Sequence, residues 1–184
     1  ESLEALLEMQ LKAARVTVAL DVGANRGQYA RLLRRVGYRG RIVSFEPVAE
    51  NVEVLRRYAA RDPLCEVVQM ALGDEDSLVP FNVTDDSVLS SFLHPSAYSK
   101  TWFKGATIRR TDLIRVRRLD AVLTEVLRNP SAENIHLKVD TQGFDLRVIR
   151  GCQKQLQHIR SLQMEVSFVA MYDQQQNYLD VLSE

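Results

Sequence analysis

The chain has 184 residues, 46% of them hydrophobic, and its 24 Lys and Arg balance 24 Asp and Glu. That is enough apolar material for one well-buried core, and zero net charge gives no global reason to expect nucleic acid or an anionic membrane surface as partner. Two cysteines are too few for a disulfide framework and no run reaches the ~18 apolar residues of a membrane span, so a cytoplasmic, reducing location without integral membrane contact is the expectation.

The first segment, "SLEALLEMQLKAA", places Leu3, Leu6, Leu7 and Leu11 near a 3.6-residue repeat with Ser2 available as N-cap, which predicts an amphipathic helix. It is charged throughout, unlike a secretory signal. "VTVALDV", 16–22, reads as a strand apolar on both faces, the kind that belongs to a parallel sheet covered by helices on each side. "GQYARLLRRVG" then aligns Tyr29, Leu32, Leu33 and Val36 on one helical face, and Gly37 stands where a left-handed C-cap belongs. "RIVSFEP" is a second strand ending in an acid, and "AENVEVLRRYAARDP" a second helix of the core, with Val52, Leu55 and Ala59 inward. "CEVVQMAL", 65–72, is a third strand, closed by the turn-rich "GDEDS".

From 79 to 118 the alternation breaks. Short strands ("PFNV", "LIRVRR") flank a Ser-rich polar loop, a pattern that predicts a ribbon insertion. "LDAVLTEVLRNP" is a helix with Leu119, Val122, Leu123, Val126 and Leu127 on one face, "NIHLKVD" a fourth strand, "FDLRVIRGCQKQLQHI" a helical segment broken near Gly151, and "SLQMEVSF" a fifth strand. Cys65 and Cys152 fall in apolar surroundings and read as reduced core residues. The arginine-rich strips "RLLRR" and "RRTDLIRVRR" read as solvated faces. Strands alternating with helices predict an α/β fold with a doubly wound, mostly parallel, Rossmann-like sheet in one domain spanning 1–184. The tail "YDQQQNYLDVLSE" begins a further helix and stops, so the C-terminal strands of such a sheet are expected to be missing.

Open parallel sheets bind ligands outside the C-terminal strand ends, at the switch between their halves. The loop from Asp21 to Gly27 lies there, and Gly23 and Gly27 bare its backbone for close approach. Glu46 ends the second strand; its two oxygens suit the two hydroxyls of an adenosine ribose. A dinucleotide fingerprint wants glycine where this chain has Asn25 and Gln28, which spoils a pyrophosphate cradle. The negative charge of Asp21 instead suits a cationic ligand end, and S-adenosylmethionine, with its ammonium and sulfonium beside an adenosine, is such a ligand. At the end of the fourth strand stand Lys138 and Asp140, in "NIHLKVDTQGFDLRVIRG". Adjacent to the first strand in a doubly wound sheet, Asp140 falls beside the donor methyl. A buried Lys138 needs an acid partner, such as Glu165.

Together, "LDVGANRGQYA", "VSFEPVAEN", "VVQMALGDEDS", "LSSFLH" and "IHLKVDTQGFDLRVIRG" resemble the FkbM-type methyltransferases, in order over about residues 16–168. The resemblance implies the class I S-adenosylmethionine-dependent fold and methylation of hydroxyls on sugars, glycolipids or polyketides. It implies that Asp21, Gly23, Ala24, Asn25, Gly27 and Gln28 surround the methionine end and sulfonium. Glu46, with Pro47, would take the ribose; Ala71, Leu72 and Asp74 would line the adenine; Ser90 and Ser91 would lie near the donor. Lys138, Asp140 and Gly143 match a K-x-D-x-E-G signature, but Gln142 stands where the family usually has Glu, and Asp145 where it often has Glu.

An alcohol is ionised only far above pH 7, so a base beside the acceptor hydroxyl should help the transfer. Asp140 is the first candidate, with Lys138 beside it, and His94 in the Ser-rich loop the second. No metal is assigned, because no His, Cys or carboxylate cluster has clear metal spacing; a magnesium ion bound by Asp140 and a neighbouring acid stays open as the alternative. The insertion, with Tyr98, Trp102, Phe103, Arg109, Arg110, Arg115 and Arg117, is the candidate region for a small-molecule or glycan acceptor; equally, Trp102 and Phe103 could anchor that loop. Two other readings stand beside this one: a short-chain NAD-dependent oxidoreductase, which Asn25, Gln28 and Asp21 disfavour, and a non-catalytic binding domain of the same fold.

Overall fold

The computed structural model describes residues 2–127 and 129–183. Five parallel strands form the central sheet: β1 (Val18–Val22), β2 (Arg41–Phe45), β3 (Cys65–Val68), and, after an intervening ribbon, β7 (Ile135–Val139) and β8 (Ile159–Met164). Their order is β3-β2-β1-β7-β8, so the chain starts in the middle, builds outward to one edge, then returns to build the other. This is the doubly wound arrangement, with its switch point between β1 and β7.

All five residues of β1 are buried, as the absence of polar alternation in "VALDV" requires. One face, carrying Val18, Leu20, Val22, Leu137 and Val139, packs against Leu119, Val122 and Leu123 of α5 (Leu119–Val126) and Val148 of α6 (Asp145–Arg150). The other, carrying Ala19 and Ile42, packs against Leu7 and Leu11 of α1 (Leu3–Ala13) and Tyr29, Ala30 and Leu33 of α2 (Gln28–Arg35). Ser2 caps α1, its hydroxyl accepting the Ala5 N–H at 3.2 Å. Helix α3 (Ala49–Ala59) buries Val52 and Leu55, while Ala59 is only half-buried.

The structure departs from the sequence reading in four places, one being the fifth strand, which spans Ile159–Met164 and not 161–168. The apolar stretch 65–72 is two strands: β3 ends at Val68, and β4 (Ala71–Gly73) belongs to a second sheet. There β4 runs parallel to β6 (Ile108–Arg118), which pairs antiparallel with β5 (Ser77–Thr84). The Met70 N–H donates to the Glu46 carbonyl at 3.2 Å, so the chain hands over from one sheet to the other beside the end of β2. Helix α5 ends at Val126, and Arg128, within the stretch read as helix, lies outside the described residues. Cys152 is buried as expected, but Cys65 is half-exposed in a polar setting, with its thiol 3.2 Å from Asp62 Oδ2.

The second sheet joins the main core through Leu72 of β4, which lies in the cluster of Val22, Val139 and Val148, while Ala71 and Val116 pack on Phe144 before α6. From the loop after β5, the Phe92 ring meets Phe81 edge-on at 4.9 Å and Phe144 at 4.5 Å. A short helix, α4 (Ala97–Trp102), and the segment after β8 close over this loop. Pro95 bridges Tyr172, and Ser96 N–H donates to the Met171 carbonyl at 3.0 Å. The chain ends in α7 (Tyr178–Ser183).

Candidate functional site

A cavity of about 450 Å³ opens at the C-terminal ends of β1, β2 and β7. That is the volume class of small-molecule sites. Its walls include Gly23, Ala24, Asn25 and Gln28 of the first loop, Glu46 and Pro47 after β2, Ala71 and Leu72 of β4, Ser90 from the Ser-rich loop, and Lys138 and Asp140. The topology therefore brings together eleven of the residues singled out above. Asp21, Gly27, Asp74, Ser91 and His94 stand outside the walls, each for a definite reason.

Asp21 is wholly buried beneath the loop, 3.0 Å from Lys138 Nζ. It cannot meet a ligand's cationic end directly; its contact is the lysine. Lys138 in turn lies 3.4 Å from Asp140 and donates to the Gly23 carbonyl at 3.3 Å, and not to Glu165 as expected. Burial disfavours the Lys138 ammonium, but Asp21 and Asp140 outweigh it and leave its pKa raised. Asp140, at the head of this chain of charges, keeps 38% of its side chain exposed.

The glycines also turn out to serve the protein. Gly23 has φ +78°, and a Cβ there would strike the backbone carbonyl of Asp140, so the bare backbone lets the β1 loop nest against the β7 end. At Gly27, φ +82°, a Cβ would lie 2.7 Å from Leu55 Cδ1, so this glycine admits α3 rather than a ligand.

Glu46 is held as a fixed acceptor. Its Oε2 accepts the Asn25 N–H at 2.9 Å, and its Oε1 accepts the Val48 N–H at 2.9 Å and Asn51 Nδ2 at 3.3 Å. A carboxylate has about four acceptor positions, so the capacity left is chiefly on Oε2. That suits one further donor where the sequence reading allotted two. Burial pushes its carboxyl up, against the lowering effect of these three bonds. Asn25, at φ +47°, turns its side chain toward Ser87, 3.2 Å away.

Ser90 contributes a hydroxyl that accepts the Thr84 N–H at 3.2 Å, whereas Ser91 donates to the Gln142 carbonyl at 2.6 Å and braces the wall from behind. Asp74 points away, into an ion pair with Arg147 at 2.9 Å. His94 is exposed, and its carbonyl accepts the Asp173 N–H. In the insertion, Arg110 is paired with Glu50 and Asp112 and Arg117 with Glu125, while Trp102 is 70% exposed and so does not anchor its loop.

Sequence reasoning missed the apolar wall formed by Phe45, Met70, Phe81 and Phe92, and the polar side formed by Tyr29 and Gln163; Gln142, marked in the sequence as the signature's departure, joins that side. Phe81 and Phe92 fall in a stretch read as acceptor region, yet they line the same cavity as Glu46. Tyr29 was read as core, but its hydroxyl bonds His136 Nε2 at 2.7 Å and Gln163 Oε1 at 2.8 Å on the cavity's edge. Among the described residues, no group of three or more His, Cys, Asp or Glu could hold a metal ion, and no helix is long and apolar enough to cross a membrane.

A family model described as the methyltransferase FkbM domain matches residues 21–184 of this chain. No curated protein matches it.

Proposed function

The chain belongs to the FkbM methyltransferase family, and on that premise we propose that it takes its methyl group from S-adenosylmethionine and delivers it to a hydroxyl of a sugar, glycolipid or polyketide-type acceptor. The observation that carries the donor assignment is Glu46. It is a buried carboxylate, fixed by two backbone N–H groups, at the wall of a cavity that also holds the apolar surface of Ala71, Leu72 and Met70. A ribose hydroxyl at Oε2 and an adenine against that surface fit these residues. Gly23, Ala24, Asn25 and Gln28 would then border the methionine end. S-adenosylmethionine, when bound, supplies a methyl group activated by its sulfonium.

The chain's own work is positioning and proton handling. Lys138, neutralising Asp21 below, orients Asp140 at the cavity's rim. Asp140, open enough to touch an acceptor, is the residue to accept the hydroxyl proton. An acceptor would approach by Asp140, whose side chain is partly exposed. The unpaired Cys65 and Cys152 accord with action in the reducing cytoplasm.

Calorimetry tests the donor. S-adenosylmethionine and S-adenosylhomocysteine should both bind, NAD should not, and Glu46→Gln should weaken the first two by about 10–100-fold, the cost of a hydrogen bond to a charged group. Tight NAD binding without S-adenosylmethionine binding would replace this reading with the oxidoreductase one. Transfer of a radiolabelled methyl group across a panel of hydroxylated acceptors identifies the substrate.

A further inference from the structure

Register carries Asp140 and Glu165 to the same place. Val139 of β7 pairs with Met164 of β8, and the Glu165 N–H donates to the Val139 carbonyl at 3.2 Å. The two acids therefore leave adjacent strands side by side at the C-terminal edge of the sheet. Gln142 joins them. Its Nε2 donates to Asp140 Oδ1 at 2.7 Å and to Glu165 Oε2 at 2.9 Å, and its Oε1 accepts the Tyr172 hydroxyl at 2.7 Å. Every hydrogen-bonding atom of that amide is engaged.

The clamp is itself built. Gln142 sits at φ +56°, a conformation that disfavours side chains other than glycine and persists where its surroundings hold it. Ser91 holds its carbonyl, and Asp145 closes the turn by accepting the Thr141 and Gly143 N–H groups at 2.8 and 3.0 Å.

Two carboxylates on one amide repel when both are charged, so holding a proton between them is favoured. Facing Glu165 are Asp140 and Lys138 from β7, Asp145 from the start of α6, and Tyr172 from the segment after β8. Lys138 is the cation among them; Asp21 engages it at 3.0 Å and Asp140 Oδ2 at 3.4 Å, so one ammonium is shared among three acids, Glu165 included.

We propose that Asp140 and Glu165 form a proton-sharing carboxylate pair, clamped by Gln142, which gives up its proton when a cationic donor enters the cavity and is thereby readied to take the acceptor's. In that second event the hydroxyl O–H bond breaks, its electron pair stays on oxygen, and the proton settles on the pair. Glu165 does not line the cavity; it is a positioning residue that acts on Asp140 through their shared amide, Gln142. Burial and the neighbouring Asp140 push the Glu165 carboxyl up to about 7, in keeping with this role. The inference rests on the donor reading above, because a sulfonium is the cation that discharges the pair.

Two measurements test it. Side-chain 13C NMR of the ligand-free protein should show Glu165 titrating near pH 7, and falling by about one unit or more in Asp140→Asn, where the like charge is gone. Calorimetry should show S-adenosylmethionine binding about tenfold tighter at pH 8 than at pH 6, with S-adenosylhomocysteine, which lacks the sulfonium charge, nearly flat, and Glu165→Gln abolishing the difference. A Glu165 titration in the ordinary carboxylate range that ignores Asp140→Asn overturns the pair, as does the same pH dependence for both ligands. Should neither ligand bind, the donor reading fails, and the NMR titration still decides whether the two acids share a proton.

Discussion

Two polar rows cross the same face of the central sheet, about 6.6 Å apart along the strands, and they hold their charge in opposite ways. The row nearer the cavity is Asp21–Lys138–Gln163, in register across β1, β7 and β8; the deeper one is Ala19–His136–Ser161. In the first, an ammonium and a carboxylate are buried together 3.0 Å apart. In the second, His136 is fully buried and bonded to neutral groups, the Tyr29 hydroxyl on Nε2 and the Ser161 hydroxyl on Nδ1 at 2.8 Å. Burial pushes its pKa down to about 4, so the ring stays neutral. Tyr29 spans both rows, its ring 5.5 Å from Lys138 Nζ and its hydroxyl on His136 and Gln163. The difference teaches that charge is kept beside the cavity, where Lys138 also meets Asp140, and excluded one step deeper, where hydroxyl bonds satisfy the same need without it.

Breaking the charged row should cost most. Lys138→Met leaves Asp21 buried without a counter-charge, and denaturant unfolding should show a loss of about 3–5 kcal/mol. Asp21→Asn with Lys138→Met should recover much of that. If the single variant were as stable as wild type, the ion pair would not be what holds the row.

The neutral row responds to pH instead. Below the ordinary histidine value of 6.5, the unfolded chain takes up a proton that folded His136 refuses until about pH 4. Stability from this group is therefore present above pH 6.5 and falls as the pH drops to 4, by about 3 kcal/mol in all. His136→Gln should flatten that portion of the acid limb, which urea unfolding at a series of pH values would reveal.

Ser161→Ala offers the finest comparison. It removes one neutral hydrogen bond from His136 Nδ1 and should cost about 1 kcal/mol. A loss as large as that of Lys138→Met would mean that the two rows are held with equal force.

How much of this could be read from the residues alone depended on how local each interaction is. Glu46 was legible because its partners are near in sequence: Val48 and Asn51 follow it, and Asn25 stands in the loop already marked by its glycines. Asp140 was legible as the end of an apolar strand. The partner of Lys138 was not: the sequence suggested Glu165, and only the β1–β7 register brings Asp21 beside it. Likewise, "CEVVQMAL" gives no sign of changing sheets after Val68; its apolar run suits either, and the change shows only in the pairing of Ala71–Gly73 with β6, where Ala71 packs on Val116.

The sequence by itself determined an α/β chain with a glycine-bearing loop at Asp21–Gly27, an acid after the second strand and an acid after the fourth, since each follows from periodicity, turn chemistry and strand ends. Tertiary structure decided who those groups meet. Gln142, which the sequence marks only as a departure from the K-x-D-x-E-G signature, meets both Asp140 and Glu165 because β8 lies beside β7, and Tyr172 folds back onto it. The physical reason is that periodicity fixes which face of its own element a side chain occupies, whereas hydrogen bonds and ion pairs are settled by the register of strands far apart in the chain.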